Sequence, residues 1–211
     1  MTKKLINEKN VEDSVLILSE NDVVLKKMFK LVGKIKLPNE KLEFKSVCKI
    51  IINQQLSGKA ARTIFNRIEE KIPNLSPKCF LNISTEELRQ CGLSNAKSNY
   101  IKLLANKLVH NPLYFHQLQE LDTVSAKNEI WSNKGFGEWS SDIFLLFYLR
   151  KMDVFPRRDV TLNKVFSKIY GTDQKDEKYI YKYSHNWTPY KSVVSLAFWQ
   201  FFDNGIEWPK K

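Results

Sequence analysis

Two stretches of this chain have the residue types and spacing to do chemistry. The first is Lys134-Gly135-Phe136-Gly137-Glu138, two glycines set between helical runs. Glycines there let the backbone turn tightly and leave no side chain where a phosphate must approach. Backbone amides at the start of the next helix, aided by its dipole, would point at that phosphate. The second is Asp153-Val154-Phe155-Pro156-Arg157-Arg158-Asp159. Pro156 favours an extended entry, and Asp159 follows where a helix would begin. Each stretch also has a plain use. Gly-x-Gly serves as an ordinary interhelical turn, and an Asp at a helix start is a cap. The combination is more specific: a Gly-x-Gly hairpin, an aromatic at Trp139 and a carboxylate at Asp159.

The elements that must position these residues read as helices. Asn21-Asp22 can cap a helix with apolar positions Val24, Met28, Leu31 and Val32. Phe44, Val47, Ile50 and Ile51 line a second helix ending near Asn53-Gln54-Gln55. A third follows Ser57-Gly58, with Ala61, Ile64, Phe65 and Ile68 inward. Ser84 and Glu87 form a capping box, and Gly92 ends that helix. Tyr100, Leu103, Leu104 and Leu108 mark the next. A short helix ends at Ile130-Trp131, and a strongly apolar one runs from about Trp139 to Arg150. Asp159 opens another, with Leu162, Val165, Phe166 and Ile169 inward, and a last helix spans about Tyr190 to Asp203. No useful alternating strand pattern or repeat occurs, so the predicted fold class is all-α.

Composition narrows the field. A chain of 211 residues makes one domain or two small lobes. Its seven glycines compare with about fifteen in an average chain of this size. There is no GxGxxG or GxxxxGK[ST], which argues against nucleotide-binding α/β folds. The scarcity also argues against a turn-rich β-sandwich. Hydrophobic residues make up 43%, enough to bury a core. Cys48, Cys79 and Cys91 form no CxxC pair, so a zinc ribbon, a cysteine-ligated cluster and a disulfide scaffold are poorly supported, and no metal site is expected. Free thiols suit a reducing cytosol. Met1-Thr2-Lys3-Lys4 leads into no long apolar run, so neither a signal peptide nor a membrane span is expected. The expected location is cytoplasmic, and nucleoid-associated in a bacterium.

The net charge of +11 suits a polyanionic partner such as nucleic acid, and equally suits simple solubility. Its distribution is uneven. Residues 41–110 carry twelve Lys/Arg against five Asp/Glu, whereas 111–150 carry three against five.

Further segments, taken in order, complete a pattern. They are Ile51-Ile52-Asn53-Gln54-Gln55-Leu56-Ser57-Gly58-Lys59-Ala60-Ala61 and Leu88-Arg89-Gln90-Cys91-Gly92-Leu93-Ser94 with Lys97, Tyr100, Ile101 and Leu104. Gly135-Phe136-Gly137-Glu138-Trp139-Ser140-Ser141-Asp142 and the Asp153–Asp159 segment follow, then Trp187-x-Pro189-Tyr190-Lys191-Ser192 through Trp199. Together these resemble the helix-hairpin-helix DNA glycosylases, most closely the 3-methyladenine DNA glycosylase II branch.

The resemblance implies a monofunctional glycosylase that removes alkylated bases by hydrolysing the N-glycosidic bond in base excision repair. Asp159 matches the catalytic aspartate, which stabilises oxocarbenium charge on the sugar. Trp139 stands where bifunctional members carry a Schiff-base lysine, so no lyase activity is expected. Trp139 and Trp199 would form the pocket for a cationic base. Gln55 and Leu56 would wedge into the duplex where the base is flipped out. Gly135, Phe136 and Gly137, with Lys134, would contact a DNA phosphate. No cofactor is required; family members often hold a monovalent cation by carbonyls at this hairpin. The expected partner of the monomeric protein is double-stranded DNA with damaged bases. The implied architecture is a two-lobed helical body: residues 42–154 as the hairpin lobe, 1–41 with 155–211 as the other, and Asp159 in the cleft between them. Two positions depart from the family pattern. Lys134 replaces the usual proline, and Ile143 stands where some members place a pocket aromatic. The alternative is a non-catalytic helix-hairpin-helix DNA-binding or damage-sensing protein, which would not need Trp139 paired with Asp159.

Overall fold

Side-chain caps start most of the helices, and the apolar spacing within each decides which face is buried. A computed structural model describes residues 6–173 and 176–209; the Met1–Lys4 segment lies outside them. Among these residues there are thirteen α-helices, one 3-10 turn and no strand. In chain order they are α1 (Glu8–Asn21), α2 (Val23–Val32), α3 (Phe44–Asn53), α4 (Gly58–Lys71), α5 (Pro77–Asn82), α6 (Thr85–Gln90) and α7 (Asn95–His110). Then come α8 (Tyr114–Glu120), α9 (Thr123–Trp131), α10 (Glu138–Phe147), α11 (Val160–Tyr170), α12 (Glu177–Ser184), the 3-10 turn His185–Trp187, and α13 (Lys191–Asp203). The all-α expectation holds.

Local chemistry explains the boundaries. Asp22, Ser57, Ser84, Ser94, Asp122 and Asp159 each accept a backbone N–H in the first turn they open. The Ser84–Glu87 capping box forms in both directions. The helices α1, α5, α8 and α12 are additions to those read from the sequence. Helix α10 stops at Phe147, short of the expected Arg150. Arg150 takes a left-handed φ of 53°, and the N–H of Lys151 turns back to the Leu145 carbonyl at 3.0 Å. Leu31 and Leu103, placed among the apolar positions, are exposed, while Leu25, Phe29 and Ile101 are buried.

The chain divides into two compact units, Met1–Asn39 with Leu145–Lys211, and Glu40–Phe144. The second junction lies inside α10, ten residues before the 154 expected from the sequence. In the first unit, α13 packs against α2, α11 and α1. Its interior includes an aromatic cluster in which Trp187 meets Phe155, Phe166, Tyr183 and Phe198. In the second unit α7 is central, packing against α3, α5 and α6.

Candidate functional site

In the first unit, Asp159 combines the two uses its position suggested. Its backbone N–H donates to the Pro156 carbonyl at 3.0 Å, and its Oδ1 accepts the Leu162 N–H at 3.0 Å. That bond caps α11. The same Oδ1 accepts the indole N–H of Trp199 at 3.2 Å. The residue is only 8% exposed, so both donors act on a carboxylate largely shielded from water. Trp199 also meets the Phe147 ring, with centroids 5.3 Å apart.

The C-terminal motif holds the approach to Asp159. Lys191 pairs with Asp153 at 3.2 Å. The Ser192 hydroxyl donates to the Lys151 carbonyl at 2.7 Å and accepts the Val154 N–H at 3.0 Å. The Ser192 N–H donates to the Met152 carbonyl at 3.0 Å, and Ser195 Oγ to the Val154 carbonyl at 3.2 Å. The side-chain amide of Asn163 donates to the Arg157 carbonyl at 3.1 Å. The whole 151–159 segment is thereby tied to the helices on either side of it.

In the second unit, α9 and α10 form the hairpin. Gly135 has φ +94°, and a Cβ on it would lie 2.6 Å from Tyr100 Cβ, so only glycine fits. Gly137 is open: nothing would meet a Cβ there within 4 Å. Lys134 and Gly137 are exposed, whereas the Phe136 side chain is buried edge-on against Phe144. Two of the amides expected to face phosphate are engaged within the chain. Phe136 N–H donates to the Asn133 carbonyl at 3.1 Å, and Gly137 N–H to Ser140 Oγ at 2.8 Å. A phosphate at Gly137 therefore competes with a rotatable hydroxyl. Trp139 lies half-buried in the first turn of α10.

A cation cage would draw on the hairpin carbonyls. The Gly135 carbonyl accepts the Gln54 side-chain amide at 2.7 Å. The Gly137 carbonyl accepts the Ser141 N–H at 3.0 Å and the Ser141 hydroxyl at 2.8 Å. A monovalent ion would have to share these oxygens with protein donors, so the glycine carbonyls do not make a ready cage.

Two polar clusters brace the hairpin, and neither was singled out in the sequence. Lys127 on α9 pairs with Asp142 on α10 at 2.6 Å, and Asp142 is 3% exposed. Lys107 donates to Glu129 at 2.9 Å and to Asn133 at 3.0 Å, and sits 4.0 Å from the Tyr114 ring centroid. Asn133 in turn donates to the Tyr114 hydroxyl at 2.8 Å. Burial pushes the Tyr114 hydroxyl above its ordinary range.

The turn after α3 presents the expected wedge residues. Gln55 and Leu56 are both exposed, and Gln55 takes a left-handed φ of 55°. Gln54 points the other way, to the Gly135 carbonyl. Lys97, quoted in the sequence only as part of a motif, donates its ammonium to the carbonyls of Ile52 at 2.8 Å and Gln54 at 2.7 Å. Among the described residues no group of three His, Cys, Asp or Glu could hold a metal ion, and no helix is long and apolar enough to cross a membrane.

Residues 48–189 match the family model described as HhH-GPD superfamily base excision DNA repair protein. DNA-3-methyladenine glycosylase 1 of Schizosaccharomyces pombe is 26% identical over 192 residues, covering 87% of this chain and 84% of that protein. A solved S. pombe 3-methyladenine DNA glycosylase in complex with abasic DNA superposes with a TM-score of 0.82. It is 24% identical, and the match covers 94% of this chain and all of that one; at that identity the likeness is one of fold. A solved DNA-3-methyladenine glycosidase from Bacillus halodurans is 29% identical, with a TM-score of 0.77, covering 88% of this chain and 86% of that one.

Proposed function

The chain belongs to the HhH-GPD superfamily of base excision DNA repair proteins, and from that membership we propose that it is a monofunctional DNA glycosylase that excises alkylated bases of the 3-methyladenine type. Relatives of that name, matched over most of their length, support this substrate class. The observation that carries the catalytic assignment is the shielded Asp159 carboxylate, whose Oδ1 is held by the Leu162 amide and the Trp199 indole.

The chemistry follows from that group. The C1′–N bond breaks, and its electron pair leaves with the base. An alkylated purine carries a formal positive charge, so that pair neutralises it and no general acid is needed. C1′ becomes an oxocarbenium centre, and Asp159 stabilises the developing charge through space. A water adds to C1′ and gives up a proton to solvent, leaving an abasic sugar. In a shielded site this electrostatic term exceeds what bulk water could supply.

The remaining roles serve that step. Trp139 and Trp199 offer aromatic faces to a cationic base. Gln55 and Leu56 fill the space left by the flipped nucleotide in damaged double-stranded DNA. Lys134, Gly135 and Gly137 grip a backbone phosphate at the hairpin, with the Gly137 N–H released from Ser140 Oγ. The reaction calls for no cofactor, and no step passes through a cation at the hairpin. Position 139 bears an indole, not an amine able to form a covalent imine with the sugar, so β-lyase activity is not expected.

The test is release of bases from methylated DNA by the wild type and by Asp159→Asn, with borohydride trapping alongside. Release by the wild type, strong loss in the variant and no trapped adduct are expected. Equal release by both overturns Asp159 as the catalytic group. A trapped adduct overturns the monofunctional assignment. Tight binding of abasic DNA without release from any lesion supports a non-catalytic sensor instead.

A further inference from the structure

The step described above leaves Lys97 without a task, yet its surroundings are specific. Its ammonium meets the carbonyls of Ile52 and Gln54, at the C-terminal end of α3. Carbonyls there have no intrahelical donor, and the helix dipole favours a cation beside them. Burial lowers the pKa of Lys97, so holding the ammonium there carries a desolvation cost that a surface lysine avoids.

Tyr100 follows Lys97 by three residues on α7, so the two share one face of that helix. Tyr100 abuts Gly135 so closely that a Cβ there would lie 2.6 Å from Tyr100 Cβ. One helix face thus touches both the turn after α3 and the hairpin. Gln54 closes the triangle by donating to the Gly135 carbonyl at 2.7 Å. Gln55, next in sequence, holds a left-handed φ of 55°. That conformation strains a residue other than glycine and persists only where its surroundings enforce it.

We propose that Lys97 and Gln54 are positioning residues that hold the exposed Gln55-Leu56 turn at a fixed distance from the Gly135–Gly137 hairpin, so that the duplex wedge and the phosphate grip engage DNA as one rigid unit. The inference rests on the functional proposal above, in which this turn enters the duplex. Lys97 acts through the α3 carbonyls, Gln54 through the hairpin carbonyl, and neither touches the reacting atoms. A wedge set at a fixed reach distinguishes DNA with a gap in the stack from intact DNA. A loosened wedge still rides on a protein that binds phosphates.

The test compares binding to a duplex bearing a tetrahydrofuran abasic analogue with binding to the same duplex intact. Lys97→Met keeps the stem and removes the ammonium, Lys97→Arg restores a cation, and Gln54→Leu cuts only the tie to Gly135. Lys97→Met is expected to lower the preference for the abasic duplex about tenfold, as loss of charged hydrogen bonds allows. Affinity for intact duplex and its salt slope should stay near wild type. Lys97→Arg should recover most of the preference, and Gln54→Leu should lose about threefold. If Lys97→Met does not fold, Gln54→Leu carries the test. Folded variants that keep the wild-type preference, or that lose both affinities in parallel, overturn the brace. A wild type that prefers the abasic duplex but releases no base overturns the hydrolase proposal alone. A wild type that releases methylated bases without that preference overturns the wedge and the brace with it.

Discussion

The indole N–H of Trp199 and the Leu162 amide converge on one oxygen of Asp159, at 3.2 and 3.0 Å. A residue suggested as a base-stacking surface is therefore also a hydrogen-bond donor to the carboxylate. Trp199→Phe separates the two uses, because it keeps an aromatic ring against Phe147 and removes the donor. We expect kcat to fall about tenfold with KM little changed, since a charge-assisted hydrogen bond is lost at the reacting group. Steady-state release from methylated DNA checks this. A rise in KM alone would assign Trp199 to base binding.

Asp159→Asn and Asp159→Ala should differ in stability but not in activity. Asn caps a helix about as well as Asp, so its melting temperature should stay near wild type. Ala loses the cap and should cost about 1 kcal/mol. Both should lose a hundredfold or more in kcat, about the effect of removing a preorganised charge-stabilising group. Calorimetry beside the release assay tests the separation.

Lys127→Met should destabilise the hairpin by removing the ammonium that pairs with buried Asp142. The expected cost is about 3 kcal/mol, at the low end for broken buried pairs because Lys127 is partly exposed. The double variant Lys127→Met/Asp142→Leu should recover much of that loss. Urea titrations of the wild type, Lys127→Met, Asp142→Leu and the double variant measure the coupling.

Ser192→Ala removes a buried hydroxyl that bonds both the Lys151 carbonyl and the Val154 N–H. Loss of those two bonds should cost about 2 kcal/mol. Activity should fall as well, because the released segment leads into Asp159. Ser192→Thr keeps the hydroxyl and should preserve more activity than Ala if its extra methyl is accommodated.

Two exposed caps should contribute to acid sensitivity. The Ser84 hydroxyl and N–H, with Lys71, hold the Glu87 carboxyl below its ordinary 4.5. The Ser125 hydroxyl and N–H act likewise on Asp122, below its ordinary 3.8. A carboxyl lowered on folding stabilises the protein above its unfolded pKa, and that contribution is lost as pH falls through the folded value. Glu87→Gln and Asp122→Asn should therefore flatten the fall in melting temperature below about pH 4.5. Parallel wild-type and variant curves would show that these caps do not titrate with folding.

Much of the framework was legible because its signals are local. A capping box, an Asx cap or a Gly-x-Gly acts within a few residues, so Ser84–Glu87, Asp22 and Gly135 could be read in place. Gly135 nevertheless has a reason the sequence did not contain, the Tyr100 side chain packed against it. Phe136, grouped with the phosphate contacts, turns its ring into the core, where no local pattern distinguishes it from its exposed neighbours Lys134 and Gly137.

The sequence by itself determined the helical class, the ordered motifs and the candidates Asp159, Trp139, Trp199, Gln55 and Leu56, all of them matters of residue type and spacing along one chain. Tertiary structure decided which groups meet: Trp199 with Asp159, Ser192 with the 151–154 segment, Lys127 with Asp142, and Lys97 with the end of α3. These pairs lie between 15 and 45 residues apart in the chain. Their bonds form only after hydrophobic burial has fixed the helix faces, which no local rule specifies.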